Sequence, residues 1–224
     1  MTPTSSRRRG ALFDLDGTLV DTNYPHVLAW WHAFRTAGYP VAMSDIHRKV
    51  GMGADALVPA LIDKDDQRLA AGHRHFYAPY LEQLQPFPAA AELLRATASL
   101  GLEVVLASSA EQEEVDAITA ALGADDVVKA VTSSADADAS KPAPDILAAA
   151  LERTGLRAAD CVMVGDTVWD VESAAKVGMP CICVLTGGIG EAELRAAGAV
   201  EVYLNAADLL ERIEDSRLGR LARG

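Results

Sequence analysis

Gly10-Ala11-Leu12-Phe13-Asp14-Leu15-Asp16-Gly17-Thr18-Leu19-Val20-Asp21 passes from a short apolar run directly into two carboxylates and a glycine. The run Gly10 to Phe13 reads as a buried strand, which puts Asp14 and Asp16 at its carboxyl end, just before a turn that Gly17 permits. Taken alone, the segment reads equally well as a surface turn with Asp16-Gly17 at its corner. The remainder of the chain decides between the two.

From Gly101 onward, short apolar runs alternate with helical patterns. Leu102 to Ala107, Val127 to Val131, Cys161 to Val164, Cys181 to Leu185 and Val200 to Leu204 read as strands. The helical stretches Glu111 to Leu122, Pro144 to Thr154 and Val168 to Val177 are followed by Gly123, Gly155 and Gly178, where a left-handed C-cap needs glycine. This punctuation predicts an α/β fold, a doubly wound parallel sheet covered on both faces. Between the first strand and Leu102 no strand is evident. Val27, Leu28, Trp30, Trp31 and Phe34 mark one helix, Ala54 to Ile62 a second and Gln67 to Leu84 a third, with loops at Gly38-Tyr39-Pro40 and Gly51-Met52-Gly53. The expected organisation is a mobile tail over residues 1–9, a Rossmann-like core over 10–22 and 88–224, and an inserted helical cap over 23–87.

With 224 residues, half of them hydrophobic, the chain can bury a substantial core. Its formal charge of -12 repels nucleic acid and anionic membrane surfaces. An anionic substrate would therefore need local positive charge from a metal or a lysine. Cys161, Cys181 and Cys183 lie in apolar strand-like runs, as reduced, buried thiols do, and no run reaches membrane-spanning length. Arg7, Arg8 and Arg9 are not followed by the apolar stretch of an export signal, so the cytoplasm is the default location.

The remaining polar segments follow strands in the same way as the first. Ser108-Ser109 comes after Leu102 to Ala107, Gly165-Asp166-Thr167-Val168-Trp169-Asp170 after Cys161 to Val164, and Lys141-Pro142 stands in a loop leading into a helix. Ligands of doubly wound sheets lie beyond the carboxyl ends of the strands, at the reversal of strand order. With the first strand central and the order 3-2-1-4-5, that reversal sets Asp14 beside Asp166. Clustered carboxylates raise one another's pKa and imply a cation. The available ligands are oxygens only, which favours Mg²⁺ over Zn²⁺, with Asp14 and Asp166 as first-choice ligands and Asp170 acting directly or through water. Lys141 and the ion would supply the local positive charge, and Ser108 would donate a hydrogen bond to a phosphate.

These four segments resemble, in order and spacing, the four motifs of the haloacid dehalogenase superfamily in its phosphatase branch, over Ala11 to about Gly178. The resemblance implies that Asp14 is a nucleophile forming an aspartyl-phosphate and that Asp16 is a general acid/base. It implies phosphate binding by Ser108, Ser109, Lys141, Gly17 and Thr18, and a metal set of Asp14, Asp16, Asp166 and Asp170. The long interval between Asp14 and Ser108 leaves room for a cap similar to those of phosphoglycolate phosphatases and β-phosphoglucomutase. Halide-removing relatives lack the second aspartate and need no Mg²⁺, and phosphonate-cleaving ones do not keep the acid at position 16. The implied partner is a small phosphorylated substrate, bound by a monomer or homodimer.

Other features carry less weight. The five histidines, His26, His32, His47, His73 and His75, all fall in the proposed cap and are expected to pack or to be solvated. Gly187-Gly188-Ile189-Gly190 reads as a flexible connection. Arg48, Lys49 and Gly51 are candidates for selecting the leaving group, although a solvated helix end explains the two cations equally well. Two rival functions share the core: a phosphosugar mutase, which returns the phosphoryl group to a sugar, and a receiver-like signalling module, which holds its phosphate without turnover.

Overall fold

The computed structural model describes residues 7–224. Six strands form one parallel sheet: β1 (Gly10–Phe13), β2 (Glu103–Ala107), β3 (Val128–Thr132), β4 (Cys161–Gly165), β5 (Cys181–Val184) and β6 (Glu201–Tyr203). Their order is β3-β2-β1-β4-β5-β6, the expected reversal with a sixth strand added at the β5 edge. Side chains alternate across the sheet as the strand period requires. Ala11, Phe13, Val104, Leu106, Val162 and Val164 enter one core, and Leu12, Val105, Ala107, Cys161, Met163 and Cys183 the other. Both faces are therefore dry, and the strands read as continuous apolar runs. The three cysteines are buried and free, and burial pushes the Cys161 thiol up to about 12.

Eleven α-helices are present among the described residues. α1 (Asn23–Thr36), α2 (Met43–His47), α3 (Ala54–Ile62) and α4 (Gln67–Tyr77) lie between β1 and β2, followed by α5 (Ala90–Ser99). α6 (Gln112–Leu122), α7 (Asp145–Thr154), α8 (Val168–Lys176) and α9 (Glu191–Ala197) alternate with the later strands, and α10 (Ala206–Glu211) and α11 (Arg217–Arg223) end the chain. α6 and α7 stop at left-handed Gly123 and Gly155, where a side chain would clash with its own backbone. The four inserted helices bury a third apolar cluster built on Trp30, Phe34, Ile46, Leu57, Val58 and Leu69.

The structure departs from the sequence expectation at two points in the insert. The stretch Gln67 to Leu84 is not one helix: α4 gives way at Ala78 to a 3₁₀ turn through Gln83, because Pro79 has no N–H to continue the α-helical ladder. α2 is absent from the sequence expectation; its five residues bury only Ile46, too short a stretch for an apolar period to show. Of the tail expected over residues 1–9, residues 1–6 lie outside the described residues. Arg7 pairs with Asp160, Arg8 with Glu103 at 2.5 Å, and Arg9 donates to the Ala222 carbonyl at 2.8 Å.

Candidate active site

The registers Phe13↔Leu106 and Phe13↔Val164 align the ends of β1, β2 and β4, and Asp14 N–H donates to the Val164 carbonyl at 2.9 Å. Residues just past these ends must therefore converge. The carboxylates of Asp14, Asp166 and Asp170 offer oxygens within 4.8 Å of one another, all three buried. Lys141 Nζ lies 2.5 Å from Asp14 Oδ1 and 2.8 Å from Asp170 Oδ1. Three carboxylates thus face one ammonium. Burial, then the neighbouring carboxylates Asp170, Asp166 and Asp16, push Asp14 well above the usual carboxylate range although Lys141 opposes the rise. Burial and Asp170 carry Asp166 up to about 7. The same pairing outweighs desolvation at Lys141 and raises its pKa. The surplus of buried oxygen ligands, with no nitrogen or sulfur among them, is a donor set that fits a hard divalent cation.

Each acid is held by local structure. Asp170 is the third residue of α8; its Oδ2 accepts Thr167 N–H at 3.0 Å and Thr167 Oγ1 at 2.7 Å in a capping box, which leaves Oδ1 toward Lys141. Asp166 accepts Thr18 Oγ1 at 2.8 Å and Asn23 Nδ2 at 3.1 Å. Gly17, at φ +71°, passes so close that an added Cβ would collide with Asp166 Oδ2. Gly17 and Thr18, expected as phosphate ligands, both pack against Asp166 in the structure. Ser108 is buried and its Oγ lies 3.4 Å from Asp16 Oδ2, while Ser109 Oγ accepts the Lys141 N–H at 3.4 Å.

The Asp16 side chain, expected with the metal set, groups instead with His26 and Glu114, outside the cluster of Asp14, Asp166 and Asp170. Its Oδ1 accepts Thr22 Oγ1 at 2.7 Å and faces His26 Nε2 at 3.3 Å. His26 Nε2 also lies 2.9 Å from Glu114 Oε1, on the core helix α6, and its Nδ1 lies 3.0 Å from His73 Nε2. Desolvation works against a charge on His26, but Glu114 and Asp16 overcome it and raise its pKa to about 10. Burial and the adjacent His26 charge, with Arg74, drive His73 well below its ordinary value. Burial alone would raise Asp16; the bond to His26 and its charge, with Thr22 and Lys141, hold it below its usual range instead.

His26 is thus an ion-pairing member of the site and not only a packing residue, contrary to expectation; His32 and His75 are exposed. Sequence reading also misses Thr22, Asn23 and Glu114. Thr22 and His26 stand four apart at the start of the helix after the first acid pair, a spacing that shares one helix face. The loop Gly187 to Gly190 is no loose connector either. Gly187 is buried, an added Cβ there would collide with Asp166 Oδ2, and its carbonyl is 2.8 Å from His47 Nε2. It lies past the carboxyl end of β5, the position that singled out the other site loops.

A cleft between the inserted helices and the strand ends opens on Asp14 and Asp16 and is lined by Trp30, Gly51, Met52, His73, Tyr77 and Glu114, among others. Gly51 belongs to it. Arg48 and Lys49 do not: they line a separate hollow, where Arg48 pairs with Glu193 at 3.1 Å and Lys49 Nζ sits 4.9 Å from the Trp169 ring centre. The start of α3 nevertheless reaches the loop before α7, with Asp55 Oδ2 accepting the Ser140 N–H at 3.0 Å.

The family model described as a haloacid dehalogenase-like hydrolase matches residues 9–178, most of the chain and all of the acidic cluster. The chain belongs to the haloacid dehalogenase-like hydrolases. Among hydrolases of related sequence, a phosphoglycolate phosphatase of Yersinia pestis is 33% identical over 216 residues, covering 92% of this chain and 93% of that protein. A hydrolase from Pseudomonas syringae superposes with a TM-score of 0.87 at 31% identity, over 93% of this chain and 99% of that one. A putative β-phosphoglucomutase from Bacteroides vulgatus shares the fold, with a TM-score of 0.85 at 17% identity over 97% of this chain and 91% of that one. No helix among the described residues is long and apolar enough to cross a membrane.

Proposed function

We propose that this hydrolase is a phosphatase that moves the phosphoryl group of a small phosphorylated metabolite first to Asp14 and then to water, with residues 23–87 acting as a cap over the cleft. The observation that carries the reading is a buried carboxylate, Asp14, at the floor of a cleft, 2.5 Å from a lysine and beside two further acids, with an independently held acid, Asp16, next to it.

Asp14 Oδ1 is engaged by Lys141, which orients the carboxylate and leaves Oδ2 for attack on phosphorus in line with the leaving oxygen. Lys141 and Ser108 provide donors for the phosphoryl oxygens where charge gathers in a loose transition state. A divalent cation such as Mg²⁺, held by Asp14, Asp166 and Asp170, would mask the charge of the nucleophile and the phosphate when bound. As the phosphorus–oxygen ester bond breaks, the departing oxygen takes a proton held between His26 Nε2 and Asp16 Oδ1. In the second half, Asp16 accepts a proton from water as it attacks the aspartyl-phosphate and Asp14 is freed. The inserted helices exclude bulk water during both halves.

The test is phosphate release from a panel of phosphate monoesters by the full chain, with Mg²⁺ and after chelation. Release that needs Mg²⁺, disappears in Asp14→Asn and yields no isomer from sugar phosphates is expected. Turnover by Asp14→Asn at the unmodified rate would sink the nucleophile assignment, and a rearranged sugar phosphate without free phosphate would indicate a mutase.

A further inference from the structure

The cleft that receives the leaving group has an unusual balance of charge. Away from Asp14 and Asp16 its walls are largely apolar: Trp30, Val50, Met52, Ala54, Tyr77 and Leu81. Two cationic side chains reach it, and both are already paired. His26 is bracketed by Asp16 at 3.3 Å and Glu114 at 2.9 Å, and Arg74 Nη1 is bonded to Glu111 Oε1 at 2.7 Å. Glu111, Glu113 and Glu114, all from the α6 end of the lining, add three carboxylates to the cleft. The loop that forms one lip does carry a second pair of cations, Arg48 and Lys49. Both belong to the other hollow, where Glu193 and Trp169 occupy them.

A substrate with a second anionic group beyond its phosphate would therefore meet no unpaired cation among the residues lining this cleft, but three carboxylates on its α6 side. Binding it would have to compete with Glu111 for the exposed Arg74 and would bring like charges together at the α6 side of the cleft, and such juxtaposition is how sites reject a wrong ligand. An apolar leaving group would instead bury surface against Trp30, Met52 and Leu81 and leave both ion pairs intact.

On the phosphatase reading above, we infer that the preferred substrates are monophosphate esters of uncharged alcohols with an apolar face, and that esters carrying a second anionic group, phosphoglycolate included, are disfavoured. The chain thus differs in substrate class from the Yersinia pestis relative's name, although the two share their length. The discriminating residues are Glu111 and Glu113, which are exposed on the first turn of α6 and at its edge and touch no reacting atom.

The experiment compares kcat/KM for 2-phenylethyl phosphate, ethyl phosphate and 2-phosphoglycolate with Mg²⁺, whose leaving alcohols are of similar reactivity but differ in bulk and charge. The order 2-phenylethyl above ethyl above phosphoglycolate is expected, with at least about a tenfold gap between first and last. In the double variant Glu111→Gln/Glu113→Gln, freeing Arg74 and removing two carboxylates should raise phosphoglycolate relative to ethyl phosphate by about fivefold or more. Phosphoglycolate at or above 2-phenylethyl phosphate overturns the inference while the phosphatase reading stands. So does a ratio that does not move in the double variant, provided its melting temperature matches the parent. Absence of Mg²⁺-dependent phosphate release from all three esters fails the phosphatase reading and takes the inference with it.

Discussion

The two walls of the cleft are built on opposite principles. On the core side, Asp14, Ser108, Asp166 and Asp170 sit within a few positions of the ends of parallel strands, adjacent strands with fixed register deliver Asp14 and Asp166 together, and the loop before α7 adds Lys141. On the cap side, His26, Trp30, His73 and Tyr77 come from two helices packed on each other, stacked ring on ring, with His26–Tyr77 centroids 4.2 Å apart and Trp30–His73 4.3 Å apart. The first wall depends on backbone hydrogen bonds common to many doubly wound sheets; the second depends on side-chain packing particular to this chain. The lesson is that chemistry is anchored where geometry is generic, and selectivity where it is specific.

That contrast is sharpened by substitutions on each side. The largest effect is expected at Asp16→Asn, which keeps the shape but removes the carboxylate that passes the His26 proton to the leaving oxygen and later accepts one from water. Turnover should fall by ~10²–10⁴-fold with little change in KM, read from initial rates of phosphate release. Next comes Gly187→Ala. Its Cβ would intrude on buried Asp166 Oδ2, so the Mg²⁺ concentration for half-maximal activity should rise by roughly 10–100-fold, with a loss of stability of about 1–3 kcal/mol from overpacking. A variant that keeps the Mg²⁺ requirement of the parent would show that this loop is the loose connection its glycines suggest.

His26→Ala tests the seam between the two walls. It strips the imidazolium from between Asp16 and Glu114 and leaves two buried carboxylates facing each other, a loss of about 3–5 kcal/mol by analogy with broken buried pairs. Glu114→Gln in the same background should recover part of that loss, and denaturant unfolding of the two single variants and the double variant measures the coupling. Additive effects would mean that the core helix and the cap histidine do not share the charge. Activity should fall in His26→Ala by about tenfold or more, because Asp16 loses the partner that shares its proton.

How much of this is legible in the sequence follows the same division. The sequence places β1 at Gly10 to Phe13 and the structure has it there. Asp14, Asp166 and Asp170 come together as expected, because a buried parallel strand leaves a plain apolar run whose end is marked by polar residues and glycine, and Lys141 joins them from the loop before α7. Glu114 cannot be found that way. It lies inside a helical period with Glu111 and Glu113, and only its burial, 9% exposed, separates it from a solvated acid. His26 stands out in the sequence but reads as packing, since the partner that gives it a charge is distant along the chain. Thr18 and Gly17 are marked as phosphate ligands only through the family resemblance, and their contacts with the neighbouring strand's acid, Asp166, have no signal in the sequence.

The smallest expected effect falls on the residues that sequence reading favours for selectivity. Arg48 and Lys49 are the basic pair nearest the cleft loop in sequence, and a basic pair beside an anion site invites a substrate role. Past the turn at Gly51, with φ +96°, the backbone of Gly51 and Gly53 lines the cleft, while the two cations before it meet Glu193 and Trp169. Arg48 is exposed and its ion pair contributes little, since surface pairs are typically worth under about 1 kcal/mol. Arg48→Ala and Lys49→Ala should therefore leave the order of substrates unchanged and kcat/KM within about twofold of the parent, whereas Met52→Ala, just past the turn and on the cleft wall, should weaken apolar esters selectively. A reordering of substrates by Arg48→Ala would mean that the hollow beside α8 opens into the cleft during turnover, and the division between an anchoring wall and a selecting wall would have to be redrawn to include it.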